Sequence, residues 1–354
     1  MPCSAKRRFE IPPSIGTLRA LRNRKCSAEP WVGIAELLGD GQSGRETPAR
    51  TKRCAGTLEA FSSAVQKVRY RASHISGSKR FQAALANNTV EVIDVKQGKR
   101  IHSIPSFREP QGVLYLPEAN RLYVANGDDG TLRIFDGSSY EPIKSIKLGD
   151  DADNVRFDAD KKHVYVGYGS GALAAMNEDG TKVAEINLDA HPESFQLEKN
   201  GPRLFVNLPK SRKVAVVDRT KESVIATWGT DGALSNYPMA LDEADHRLFI
   251  DCRLPARLVV LDTNTGKVID KLPVIGDSDD IFYDQARKRI YAIGGEGGIS
   301  VYQQENADHY KEIAKIPTVK GARTSFFSPD LSALFVAVRA QGSEPAAIRV
   351  YSTH

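Results

Sequence analysis

The stretch RLYVANGDDGTLRIFD, residues 121–136, decides the fold. It opens basic–apolar–aromatic–apolar, passes through a Gly/Asp turn, and closes a second apolar run on Asp136. Apolar and polar residues alternate in both runs, which is the period of β-strands. The NGDDGT between them is hairpin chemistry, in which Gly supplies positive φ. The opening then recurs as HVYVGY (163–168), RLFVNL (203–208), RLFIDC (247–252) and RIYAIG (289–294). A degenerate copy, RFQAAL, starts at Arg80, and another, ALFVAV, at Ala333. The seven starts are spaced 40 to 44 residues apart. The second run ends on Asp94, Asp136, Asp218 and Asp262 in four copies, while Asn177 and Gln303 hold that slot in two others. A turn such as TNTG (263–266) follows, then a further strand such as KVIDKLPVI (267–275). No 3.6-residue period is sustained anywhere in 80–354.

Short strands in modules of about 42 residues, repeated seven times, predict an all-β, seven-bladed β-propeller of four-stranded blades. The last copy offers strands at 323–328, 333–338 and 346–351 and then stops. It lacks the outermost strand; in similar propellers an N-terminal strand fills that place, and one within 56–67 is expected to complete the blade and close the ring. The segment GTLEAFSSAVQKV alternates weakly, so a helical turn is the other reading there. RLYVAN…TLRIFD and RLFV…KVAVVD resemble the YVTN-type propeller repeat, over roughly 68–354. That resemblance implies the propeller fold and a bacterial, periplasmic or secreted setting.

Composition divides the chain in two. Residues 1–79 carry 15 Lys/Arg against 6 Asp/Glu, whereas 80–354 carry 34 against 38. The overall formal charge of +5 therefore belongs to the N-terminal part. We read 1–55 as a basic, disordered segment and 56–354 as the propeller. A misassigned start, with a signal peptide in the native protein, is the sharper alternative for 1–55; MPCSAKRRFEIPPSIG itself shows no apolar h-region. A slightly acidic body lacks the basic stripe that nucleic-acid binding requires. No apolar run approaches the ~18 residues of a membrane span. The four cysteines show no CxxC, CxxCH or Cys/His ligand spacing, which excludes zinc modules and attached c-type haem. Cys252 reads as a small strand residue.

Candidate functional residues follow from the repeat. The loop leading into a blade's first strand lies on one face, so residues nine and ten positions before each start should ring the channel mouth. That ring is Tyr70/Arg71, Gln111/Gly112, Asp153/Asn154, Glu193/Ser194, Tyr237/Pro238, Asp279/Asp280 and Arg323/Thr324, with Glu109, Asp150, Asp151, His191, Asn236 and Asp277 around it. GDDADN (149–154) and GDSDD (276–280) fall in the same slot of two blades. Neither supplies the third acid, the Gly and the Glu of an EF-hand, so a local calcium loop is rejected. Asp and Asn capping of tight turns is the plain explanation of these acids. The sharper one is a cation assembled across blades by Asp153, Glu193, Asp279 and His191. Trp228 suits packing better than ligand stacking, and His74, His163, His246 and His309 fall at strand ends or turns. No GxSxG, HExxH, P-loop or strand–helix GxGxxG occurs.

The expected function is a non-catalytic binding or scaffold propeller. Its acidic channel face would bind a protein or small-molecule ligand through Gln111, Asp153, Asn154, His191, Glu193, Tyr237, Asp279, Asp280 and Arg323. No cofactor is expected beyond the divalent cation, and the expected state is a monomer. The alternative is a lactonase-like hydrolytic propeller with a channel metal. A haem or quinone redox propeller is the third class, and the attachment motifs for haem are missing.

Overall fold

The computed structural model describes residues 55–58, 70–76 and 78–354, with side chains from residue 78 onward. Seven antiparallel four-stranded sheets make seven blades: 70–104, 110–147, 155–187, 195–229, 234–273, 278–317, and 325–352 with 55–58. Within blades 1 to 6 the strands run in chain order from the channel outward. Helix among the described residues is limited to the 3-10 turns Leu85–Asn87 and Pro209–Ser211. In blade 7, strands Ser325–Ser328, Ala333–Val338 and Ala347–Ser352 are completed by Ala55–Leu58, paired from Ala55 opposite Tyr351 to Leu58 opposite Ile348. The N-terminal strand thus closes the ring, starting one residue ahead of the expected window. Closure pairs an edge that would otherwise be open. The remainder of the segment expected to be basic and disordered, and the alternative helical turn after Leu58, lie outside the described residues.

The repeat's aromatic position is what holds the blades to one another. Phe81, Tyr123, Tyr165, Phe205, Phe249, Tyr291 and Phe335 each occupy the third residue of a blade's second strand, and each is at most 4% exposed. The core is a series of layers between neighbouring blades. Tyr123, for example, packs with Val164 and Val166 of the next blade, and Phe249 packs with Ile281 and Ile290. Burying one such ring stabilises by roughly 2–3 kcal/mol, so the seven positions specify the ring as well as the blades. Blade 1 needs a correction. Its second strand is Lys79–Ala84, with Lys79 opposite Asp94 just as Arg121 lies opposite Asp136. The repeat there begins at Lys79, not Arg80. The slip arises because fully buried Arg80 and Gln82 fill slots that are apolar in the other blades. Arg80 lies over the Phe335 ring at 5.4 Å.

The recurring aspartates are turn devices. One carboxylate oxygen of Asp94 accepts from the backbone N–H groups of Lys96 and Gln97. Asp136 accepts from Ser138 and Ser139. Asp218 and Asp262 repeat the same two bonds to the residues two and three ahead. An aspartate in this role imitates a backbone turn and sets up the hairpin to the fourth strand. The hydrogen bonds also hold these carboxyls below their ordinary pKa; Asp218 falls to about 2, led by the Thr220 hydroxyl.

The fourth strands carry a device the sequence reading lacks. Pairing slips by one residue at Ile101, Ile143, Val183, Ile225, Ile269 and Ile313 in blades 1 to 6. A β-branched residue is the bulged one each time, and five of the six are exposed hydrophobics. Bulges twist a strand and spoil further pairing. Six outer edges that would otherwise template aggregation are blunted at the same register.

Candidate functional site

The loops that lead into the first strands converge as the repeat requires. GDDADN and GDSDD form the same turn: Asp151 and Asp277, each twelve residues before its blade's second strand, sit at φ +46° and +60°. Glu109 and Ser235 take the same left-handed conformation in blades 2 and 5. Aspartate tolerates it through local hydrogen bonding. Beneath these turns is a pocket of about 330 Å³ lined by residues from blades 2 to 7. Gln111, Asp153, Asn154, Glu193, Tyr237, Asp279 and Asp280 line it, as expected from their slot. Gly112 shares the slot because a Cβ there would come within 2.1 Å of the Asp153 carbonyl oxygen. Tyr70 and Arg71 have no described side chains.

One wall is acidic. Asp153 and His191 are buried, Glu193 is half-buried, and a ligand atom from each lies within 4.8 Å of the others. His191 Nδ1 is 2.6 Å from the Gly169 carbonyl oxygen. A carbonyl can only accept, so Nδ1 carries a proton and donates. Nε2 then faces Asp151 Oδ2 at 3.6 Å. The other oxygen of Asp151 accepts from Gln111 Nε2 at 3.1 Å. Asp279, expected beside this trio, is elsewhere. It is paired with Arg253 and lies 2.6 Å from Arg323 Nε. Arg323 and Arg253 also reach Asp277, and the Arg253 guanidinium lies over the Tyr237 ring at 4.2 Å. The metal set expected from the sequence therefore reduces to Asp153, His191 and Glu193. Two nearby arginines engage both Asp279 oxygens in charge-assisted contacts, which sets it apart from the other three.

The pocket lining also includes Arg156, which the sequence reading lacks. Arg156 lies in the channel over Phe195 at 5.7 Å, within electrostatic reach of Asp280 and Asp153. Burial lowers the pKa of its guanidinium. Asp280 accepts from the Ser325 backbone N–H at 2.6 Å. Burial nevertheless pushes the Asp280 carboxyl up to about 7. Arg156 was recoverable from the sequence. It lies two residues past Asn154 on the same strand face, as Phe282 lies past Asp280 and Phe326 past Thr324. Extending the ring by the strand period finds all three. Arg253 had no such signal, since it lies near the end of a second strand, Arg247–Leu254.

The remaining expectations resolve simply. Asn236 is fully buried and donates to the Asn207 side chain and the Lys213 carbonyl, so it is structural. Trp228 packs on Phe205 at 5.6 Å in the layer between blades 4 and 5. Cys252 is buried in that layer as well. His309 is exposed and bonds Asn306. No helix among the described residues is long and apolar enough to cross a membrane.

No protein-family model matches this chain, and no curated protein does. Solved structures do match. A chain of the Kuenenia stuttgartiensis hydrazine synthase structure superposes with a TM-score of 0.66 at 17% identity, covering 82% of this chain and 98% of that one. The U3-55K structure gives 0.70 at 11% identity, over 84% of this chain and 97% of that chain. A chain of the mitotic checkpoint complex gives 0.69 at 14%, over 90% and 99%. At these identities the likeness is one of fold: the propeller is shared with enzymes and assemblies alike, and only the site can speak for function.

Proposed function

We propose that the protein is a non-catalytic binding propeller whose channel face receives a polar small molecule or a segment of a partner protein. One observation carries the reading: six blades deliver polar side chains to a single pocket, and the protein itself holds their charges in place. Asp279 is clamped by two arginines, and Arg253 is pinned on Tyr237. Fixed groups of this kind lower the cost of ordering on binding. Tyr237 with its stacked arginine is the aromatic anchor that such a pocket uses. A bacterial, exported setting belongs to the same proposal and rests on the YVTN-type resemblance.

The test is capture with wild-type and Tyr237→Ala protein, reading bound proteins and metabolites by mass spectrometry and their affinities by calorimetry. A channel ligand should bind at least roughly 30-fold more weakly to Tyr237→Ala, the scale of a hot spot. A ligand held equally by both proteins would place binding on another surface. One observation favours a second, hydrolytic reading: Asp280, at about 7, has the proton affinity of a general base at neutral pH. Turnover of lactones or esters that Asp280→Asn abolishes would replace the binding reading.

A further inference from the structure

The acidic wall has the composition of a metal centre. Asp153, His191 and Glu193 offer two carboxylate oxygens and an imidazole nitrogen within 4.8 Å of one another. Donors on one cation with bonds of roughly 2.0–2.2 Å lie closer than that, so side-chain rotation has to draw them in by about an ångström. His191 is already prepared. Its Nδ1–H donates to the Gly169 carbonyl at 2.6 Å, which leaves the Nε2 lone pair as the ligand. A carbonyl behind the ring is the usual partner that fixes the tautomer of a metal-binding histidine.

A separate observation points to a missing partner, a donor or a cation. Gln111, 7% exposed, lines the same pocket. Its Nε2 holds Asp151, the neighbour of His191 Nε2, while its buried Oε1 has no hydrogen-bond partner. A buried acceptor without a donor is costly. A cation, or a water bound to one, would satisfy it.

We propose that Asp153, His191 and Glu193 bind one divalent cation of the manganese–zinc class, with Gln111 and Asp151 in support. Mixed imidazole and carboxylate donors suit these ions better than calcium or magnesium, which prefer oxygen alone. Three protein ligands leave coordination positions open toward the channel, where a bound molecule's oxygen could join. In that respect the inference deepens the binding reading, since the metal would be part of what the pocket offers its ligand. Arg156 near Asp153 competes for the same charge, so the cation is expected to bind more weakly than the three ligands alone would hold it.

The test uses the full chain, freed of metal by a chelator and titrated with Mn²⁺ by electron paramagnetic resonance and with Zn²⁺ by calorimetry. One ion per chain is expected, with affinity falling at least roughly tenfold in Glu193→Gln and in His191→Ala. Asp150→Asn, which alters an almost fully exposed carboxylate nearby, should change nothing. Absence of saturable binding, or binding indifferent to Glu193→Gln, overturns the proposal. Should His191→Ala fail to fold, Glu193→Gln at its half-buried position decides alone. No channel ligand enters this titration, so its failure would leave the Tyr237 experiment standing.

Discussion

Arg219→Met is expected to lower the unfolding free energy by about 3–5 kcal/mol, the cost of breaking a buried ion pair. The Arg219 and Asp158 side chains are 5% and 2% exposed and pair directly between blades 4 and 3. The same guanidinium donates to the carbonyls of Glu198 at 2.6 Å and Pro202 at 3.2 Å, and also to that of Gly201. Methionine fills the space but leaves Asp158 a buried charge and the Glu198 and Gly201 carbonyls without this donor, while the Pro202 carbonyl keeps the Arg219 backbone N–H at 2.9 Å. Asp158 keeps only the backbone N–H groups of Asp160 and Lys161. A fall of roughly 10 °C in melting temperature is the corresponding reading. Adding Asp158→Asn to Arg219→Met should recover part of the loss, because it removes the stranded charge. A loss under about 1 kcal/mol for Arg219→Met would mean that water replaces the guanidinium and that the blades are held by apolar packing alone.

What the sequence made legible follows from what repeats. Strand alternation, the buried aromatic third residue and the turn aspartate recur in most blades, so each copy checks the others. The seven-bladed ring and its closing strand were therefore readable. Blade 1 slipped by one residue because Arg80 and Gln82 stand in apolar slots, and only Phe81 keeps the register. The bulged fourth strands were obscured for a related reason: one inserted residue breaks the alternation on which a strand reading depends. The site divides along the same line. The slot before each first strand is positional, and it supplied most of the pocket lining. Which side chains pair across the channel is not positional. Asp279 meets Arg253 and Arg323 from two other blades, at sequence distances no local pattern encodes. An acid that looked like a ligand therefore became half of an ion-pair cluster.

Asp251→Asn is the converse case, a substitution in the core expected to stabilise. Asp251 is fully buried in blade 5; neither carboxylate oxygen has a hydrogen bond of good geometry, and Ser278 and Arg253 offset its burial only in part. Burial pushes its pKa from 3.8 up to about 8. Asn207 holds the equivalent place in blade 4, where its amide donates to the Tyr237 and Pro238 carbonyls of the next blade at 3.1 and 3.2 Å. A position that calls for a donor thus holds an acid, which can donate only while protonated. The sign follows from linkage: the folded chain keeps this proton more tightly than the unfolded one, so stability declines as pH rises from about 4 to about 8. At pH 8 the loss is on the order of a few kcal/mol. Asn at 251 donates at every pH. The variant should melt higher than wild type by roughly 5 °C at pH 8, with the difference shrinking toward pH 4.5. Equal melting temperatures at both pH values would show that Asp251 is already relieved by water or by backbone movement. A variant less stable at pH 8 would mean that the carboxylate has a cationic partner in solution.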